Sequence, residues 1–118
     1  MRLVTFDAGS GPRAGVQTDS GILDAMDLLG ENGHGGVRRL IAGDRLGDLK
    51  AAVEAGNGEP IDASTVRILP PVPDPDKIIC IGLNYRAHAK ETGQDLPRAP
   101  IIFGKYRNAL AADGDVVK

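Results

Sequence analysis

Lys77-Ile78-Ile79-Cys80-Ile81-Gly82-Leu83-Asn84-Tyr85-Arg86-Ala87-His88-Ala89-Lys90-Glu91 is the stretch on which the fold turns. Residues 78–81 form an unbroken apolar run, and a run that short suits a strand buried on both faces. Gly82 follows, where the chain can bend sharply because no side chain is there to clash. Asn84 is placed to cap a helix through its side-chain oxygen, and Gly93 to end it. The predicted order is strand, glycine break, short helix. Inside that helix His88 and Glu91 stand three apart and share a face. A carboxylate beside an imidazole fixes one tautomer and raises the basicity of the other nitrogen, as general-base activation of water requires. On spacing alone the same pair reads as an exposed contact worth about 0.2–0.5 kcal/mol.

Composition bounds what surrounds this stretch. The chain has 118 residues, room for one small domain by the usual prior. A net charge of −2 argues against nucleic acid or another polyanion as partner. No apolar run is long enough for a membrane-spanning helix, and the opening residues lack the pattern of a secretory signal. Cys80 is the only cysteine, so no internal disulfide can form and a cytoplasmic location is expected. Sixteen glycines favour short strands and many turns over a helical bundle. Of the two Phe and two Tyr, only Phe6 lies in the first half, so the N-terminal part must build an aliphatic core. A unit of about 70 residues gains little stability from one such core and is expected to lean on a following domain or a partner chain.

From the N-terminus, residues 1–6, 14–18 and 21–25 read as three short strands joined by tight turns, a meander. Asp24 is positioned to cap a short helical turn through Leu29. Residues 30–36 are glycine-rich but carry neither the P-loop nor the dinucleotide pattern, so they read as a surface loop with His34 solvated in it. Residues 37–41 and 46–55 look helical, with Leu46, Leu49, Ala52 and Val53 on one face and Gly56 to stop the second helix. That face packs on the meander more simply than it docks a partner. Residues 66–69 read as a strand. Pro70, Pro71, Pro73 and Pro75 then stiffen the chain and exclude a central strand. They contain a P-x-x-P match, but an interdomain connector is the better reading, and it divides the chain into residues 1–72 and 73–118. Beyond Glu91, residues 92–99 form a loop, 100–105 a strand and 111–115 a turn. Residues 116–118 begin a further strand.

The stretch Gly82-Leu83-Asn84-Tyr85-Arg86-Ala87-His88-Ala89-Lys90-Glu91 resembles the G-x-N-Y-x-x-H-x-x-E signature of the fumarylacetoacetate hydrolase superfamily. Pro100-Ile101-Ile102-Phe103-Gly104-Lys105 is similar to that family's P-x-x-F-x-K segment, and Asn108-Ala109-Leu110 and Gly114-Asp115 follow in its order. The opening Met1-Arg2-Leu3-Val4-Thr5-Phe6 looks like the small N-terminal domain of many bacterial members. The resemblance is specific from Lys77 to Lys105 and loose from about Leu28 to Glu59. It implies an α+β fold: a small strand-and-helix domain, then the beginning of a mixed β-roll catalytic domain whose helix at about 84–92 acts with its loop as a lid.

The resemblance also implies roles. His88 and Glu91 would be the catalytic dyad that activates water or moves a substrate proton. Tyr85 and Arg86 would be lid contacts to a small anionic 2-oxo acid, and Lys105 would lie at the edge of the active site. The plainer alternatives have Tyr85 packing the helix down, Arg86 as a surface charge and Lys105 as a solvated strand-end lysine. The family's chemistry uses Mg²⁺ or Mn²⁺, hard cations that take oxygen ligands from a Glu-x-Glu pair and a later Asp. No Glu-x-Glu occurs here, and Asp74-Pro75-Asp76 and Asp113-Gly114-Asp115 read as turns. The metal ligands are therefore expected beyond residue 118, and no residue here is assigned to metal. The expectation is the N-terminal portion of a metal-dependent hydrolase, decarboxylase or isomerase, a homodimer when full length, with the 118-residue chain alone inactive. The alternative is a naturally short, non-catalytic interaction module of the same fold.

Overall fold

Residues 1–117 are described by a computed structural model of the protein. The opening alternation folds as the expected meander: β1 (Arg2–Asp7), β2 (Pro12–Thr18) and β3 (Gly21–Asp24) pair antiparallel in chain order. Asp7 closes the first turn, its Oδ1 accepting from the Gly9 and Gly11 N–H groups at 2.7 and 2.9 Å. These two backbone bonds, Gly11 first, hold the Asp7 carboxyl below its ordinary pKa of 3.8. β4 (Arg67–Leu69) pairs antiparallel with the outer side of β1, giving the order β3-β2-β1-β4.

Period-two alternation gives this sheet two apolar faces. On one, Ala14 and Val16 pack with Leu23, Met26, Leu40 and Leu49. The last three come from α1 (Ala25–Leu28), α2 (Val37–Ala42) and α3 (Leu46–Glu54). On the other, Val4, Phe6 and Ile22 meet Ile61, Val66 and Ile68. The α3 face read from the sequence packs as the plainer reading had it, with Leu49 buried and Leu46 and Val53 against the same cluster. Asp24 caps α1 through bonds from Met26 N–H and Asp27 N–H, and also receives the guanidinium of Arg13.

Thr5 lies among the helix-side residues and is fully buried. Its hydroxyl donates to the Pro71 carbonyl at 2.6 Å and accepts from the Val37 N–H at 3.0 Å, tying the first strand both to the start of α2 and to the proline segment. Gly36 makes room for it, since a Cβ there would stand 2.5 Å from Thr5 Oγ1 and 3.2 Å from Pro73 Cδ.

The chain divides into two units: Met1–Pro73 joined by the segment from Ala111, and Asp74–Leu110. In the first, Asp115 bonds Arg67 at 2.6 Å and accepts from the Ala112 N–H at 2.8 Å. Residues 116 and 117 form no strand; the rest of the strand expected there lies outside the described residues. In the second unit, β5 (Ile78–Gly82) and β6 (Ile101–Lys105) pair antiparallel, Ile78 opposite Lys105 and Gly82 opposite Ile101, and α4 (Arg86–Glu91) lies in the connection between them. The architecture is α+β.

Three sequence-based expectations fail in this unit. The strand at 78–81 is not buried on both faces: Ile78 and Cys80 are half-buried, but Ile79 is 68% and Ile81 42% exposed on the other face, and β5 has one partner strand among the described residues. The bend falls on Leu83, at φ 47°, and not on Gly82. Gly82 answers a different need, since a Cβ there would sit 3.3 Å from Ile101 Cγ2 on the paired strand. Nor does Asn84 cap the helix: α4 begins one residue later, with Tyr85 as N-cap and no side-chain bond to its free N–H groups. Its other end is as read. Gly93, at φ 67°, sends its N–H to the Lys90 carbonyl, and Gln94 N–H bonds Ala89 O at 2.9 Å.

Candidate active site

α4 is a short helix whose buried residue is Ala89. One step away, His88 points off that buried face, and His88 and Glu91 are both exposed. No hydrogen bond or ion pair joins their side chains among the described residues; only the His88 backbone is engaged, its carbonyl accepting from Thr92 Oγ1 at 2.9 Å. The helix thus supplies the spacing of a dyad without its contact. Tyr85 does not pack the helix down, being 72% exposed, and Arg86 is likewise exposed.

The turn that delivers α4 is strained. Leucine rarely adopts a left-handed backbone, and such outliers persist only where their surroundings enforce them. Leu83 and Asn84 line a cleft of about 240 Å³ with residues 97–100 of the following loop. Asn84 therefore faces a cleft, a role its cap-like residue type concealed.

Lys105 stands elsewhere, at the far end of the β5–β6 ribbon from that turn. It lines a cleft of about 450 Å³ with Asp76, Lys77, Tyr106, Arg107 and Asn108. His88 and Glu91 line neither cleft. The structure so places Tyr85, Arg86, His88 and Glu91 together on and beside α4, and Lys105 apart from them at the end of β6. Lys77 is brought beside Lys105 by register, since it precedes β5 where Lys105 ends β6.

No three His, Cys, Asp or Glu side chains among the described residues gather to hold a metal ion. Asp115 is committed to Arg67 and Ala112 N–H, and the exposed Asp62 to Ser64. Among the described residues, no donor set fits a divalent cation.

A meander backed by helices, followed by a strand, a strained turn and a short helix carrying the Gly82–Glu91 signature, defines the front part of a fumarylacetoacetate hydrolase-type protein. No family model matches the chain. The relatives do: the chain is 30% identical over 122 residues to a fumarylacetoacetate hydrolase domain-containing protein 2 homolog from Dictyostelium discoideum, covering 99% of this chain and 40% of that protein. It is 32% identical over 123 residues to the human mitochondrial oxaloacetate tautomerase FAHD2A, covering 99% and 38%. A crystal structure of an HpcE protein from Mycobacterium smegmatis superposes with a TM-score of 0.64 at 27% identity, covering 91% of this chain and 36% of that one. Over this N-terminal portion the chain belongs to the fumarylacetoacetate hydrolase superfamily. It spans about two fifths of the length of the curated relatives it matches.

Proposed function

We propose that the full-length protein is an enzyme of acid–base chemistry on 2-oxo or 1,3-dicarbonyl acids, by C–C hydrolysis, decarboxylation or isomerisation. The observation that carries this reading is the signature itself, seated as a strained turn leading into α4 in a chain whose relatives include oxaloacetate tautomerases. His88 is the proposed base and Glu91 the group that orients it and stabilises its protonated form. Both side chains are exposed and three residues apart on one helix, a spacing at which two side chains can meet. Tyr85 and Arg86 are the proposed contacts to the substrate's anionic end. The proposed cofactor is Mg²⁺ or Mn²⁺, held by residues outside this chain. The proposed setting is a homodimer in the cytoplasm, although the tautomerases it resembles are named as mitochondrial.

The test is to assay the full-length protein, with and without Mg²⁺ or Mn²⁺, against acylpyruvates, oxaloacetate and 2-oxo-heptenedioates. Metal-dependent turnover of one class is the expected result. Inactivity on all three, alike with and without metal, would overturn the reading. For the isolated 118-residue chain, no turnover is expected and no tight stoichiometric Mg²⁺ site by calorimetry.

A further inference from the structure

Two of the four asparagines stand directly before glycine, in Asn32-Gly33 and Asn57-Gly58. A glycine nitrogen, with no side chain beside it, can close on the preceding asparagine's side-chain carbon to form a five-membered ring. Both asparagines are exposed, and neither the Gly33 nor the Gly58 N–H makes a hydrogen bond among the described residues. Their surroundings separate them. Arg39 reaches over the first site, its Nη2 donating to the Asn32 carbonyl at 3.4 Å and its Nη1 to the His34 carbonyl at 3.2 Å. Ring closure requires Gly33 N–H to lose its proton, and the charge left behind spreads onto the Asn32 carbonyl oxygen, where the guanidinium stabilises it. Glu31 also faces Arg39, at 3.4 Å, but is shared with Arg45. At the second site Asn57 lines a cleft of about 320 Å³ with Asp24, Asp27 and Glu59. Arg13 offsets the two aspartates but not Glu59 among the described residues. The backbone there is also pinned: Asn57 N–H bonds Ala52 O at 3.3 Å, and a Cβ at Gly58 would stand 2.8 Å from Leu28 Cδ2.

We propose that Asn32 is a site of spontaneous deamidation through a succinimide, promoted by Arg39, and that Asn57 is protected from the same reaction. The Gly33 nitrogen, its proton taken by hydroxide, bonds to Asn32 Cγ, and the side-chain nitrogen leaves as ammonia. Water then opens the ring. Attack at the side-chain carbonyl gives aspartate; attack at the main-chain carbonyl gives isoaspartate, whose main-chain link is longer by a methylene. Nothing is oxidised or reduced: water is consumed, ammonia is released and a carboxylate is gained. The loop absorbs the longer link, since Gly33 and Gly35 flank His34 at φ 118° and 146° and leave the backbone there free of Cβ constraints. The new carboxylate forms beside Arg39, in competition with Glu31. The reaction needs no enzyme and is independent of the activity proposed above.

The experiment is to hold the purified protein in mildly alkaline buffer at low salt and follow both asparagine peptides by mass spectrometry, with fragmentation that distinguishes isoaspartate from aspartate. Asn32 is expected to convert about tenfold faster than Asn57 in the folded protein, and the two rates to converge in urea. Arg39→Gln should slow Asn32 about tenfold and leave Asn57 unchanged, the Asn57 rate in the same sample showing that the fold is kept. Added salt should narrow the difference in the unaltered protein, because Arg39 is exposed and its field is screened. If both rates in Arg39→Gln rise to their values in urea, the variant has unfolded and the salt series decides. Asn57 converting first, equal rates in the folded protein, or a difference that salt leaves untouched would each overturn the proposal. So would an Asn32 rate that Arg39→Gln raises or leaves unchanged while Asn57 keeps its own.

Discussion

Thr5 is buried with both hydroxyl bonds made, to Pro71 and from Val37. Thr5→Val keeps the shape and removes both, leaving the buried Val37 N–H without a partner and the Pro71 carbonyl, on an exposed residue, without this donor. The expected loss is about 1–3 kcal/mol of stability, read as a lower denaturant midpoint at unchanged slope. Nothing in the alternation of residues 2–7 marks this threonine, because its partners lie far along the chain and only the fold brings them to it. His88 and Glu91 are the opposite case, since their spacing was legible at once and their use was not. If they act as one unit, His88→Ala lowers kcat of the full-length enzyme by about 10²–10⁴-fold. Glu91→Gln lowers it as well, because an amide cannot stabilise the imidazolium, and the double variant loses little beyond His88→Ala. Metal affinity should hold in all three. Near wild-type kcat for His88→Ala at saturating metal would eliminate the dyad.

At the scale of elements, the four α-helices among the described residues end alike, with the residue after the C-cap in the left-handed region: Gly30, Asp44, Gly56 and Gly93. Three are glycines, of which Gly56 and Gly93 were read as stops and Gly30 as the start of a loop, whereas Asp44, at φ 52°, carried no such signal. Asp44→Gly should stabilise the protein by up to about 1 kcal/mol, since glycine adopts this conformation without steric cost. Leu83→Gly removes the same kind of strain in the signature turn. There the expected outcome divides, with a gain in thermal stability but a fall in kcat of the full-length enzyme, because α4 would no longer be held in one orientation. Equal or higher kcat would show that the strained turn does not serve the site. The elements of the first unit were legible because short-range signals agree with the fold: alternation for β1 to β3, an acidic cap for α1, an apolar face for α3. In the second unit, residue types predicted the elements correctly but not their burial, since apolar β-branched runs record layers that this stretch of chain does not itself contain.

For the whole molecule, charge and exposed apolar surface set the behaviour in solution. Asp7, Asp62 and Asp115 each have a carboxyl held below the ordinary 3.8, chiefly by backbone N–H bonds from Gly11, Ser64 and Ala112. Their folded-state values lie below the unfolded one, so their contribution is whole above pH 3.8 and is lost as pH falls through the lowered values. The urea midpoint should therefore decline below about pH 4, less steeply in Asp7→Asn. The β5–β6 ribbon presents Ile79, Ile81 and Ile102 to solvent. The isolated chain should self-associate as concentration rises, and Ile79→Lys with Ile102→Lys should suppress it; sedimentation as a monomer at every concentration would refute this.

The order β3-β2-β1-β4 also has a consequence in time. β1, β2 and β3 join across turns of a few residues, whereas β4 must reach β1 across all three helices of the first unit. Short loops close at small entropic cost and long ones later, so the meander is the natural nucleus and β4 the last strand to arrive. A defect in the late strand, such as Ile68→Ala, should then quicken unfolding while leaving the refolding rate nearly untouched, and a defect at Val16 in the meander should slow refolding instead. On a ribosome, the first strand would wait, with its outer edge unpaired, until residues 67–69 had left the exit tunnel.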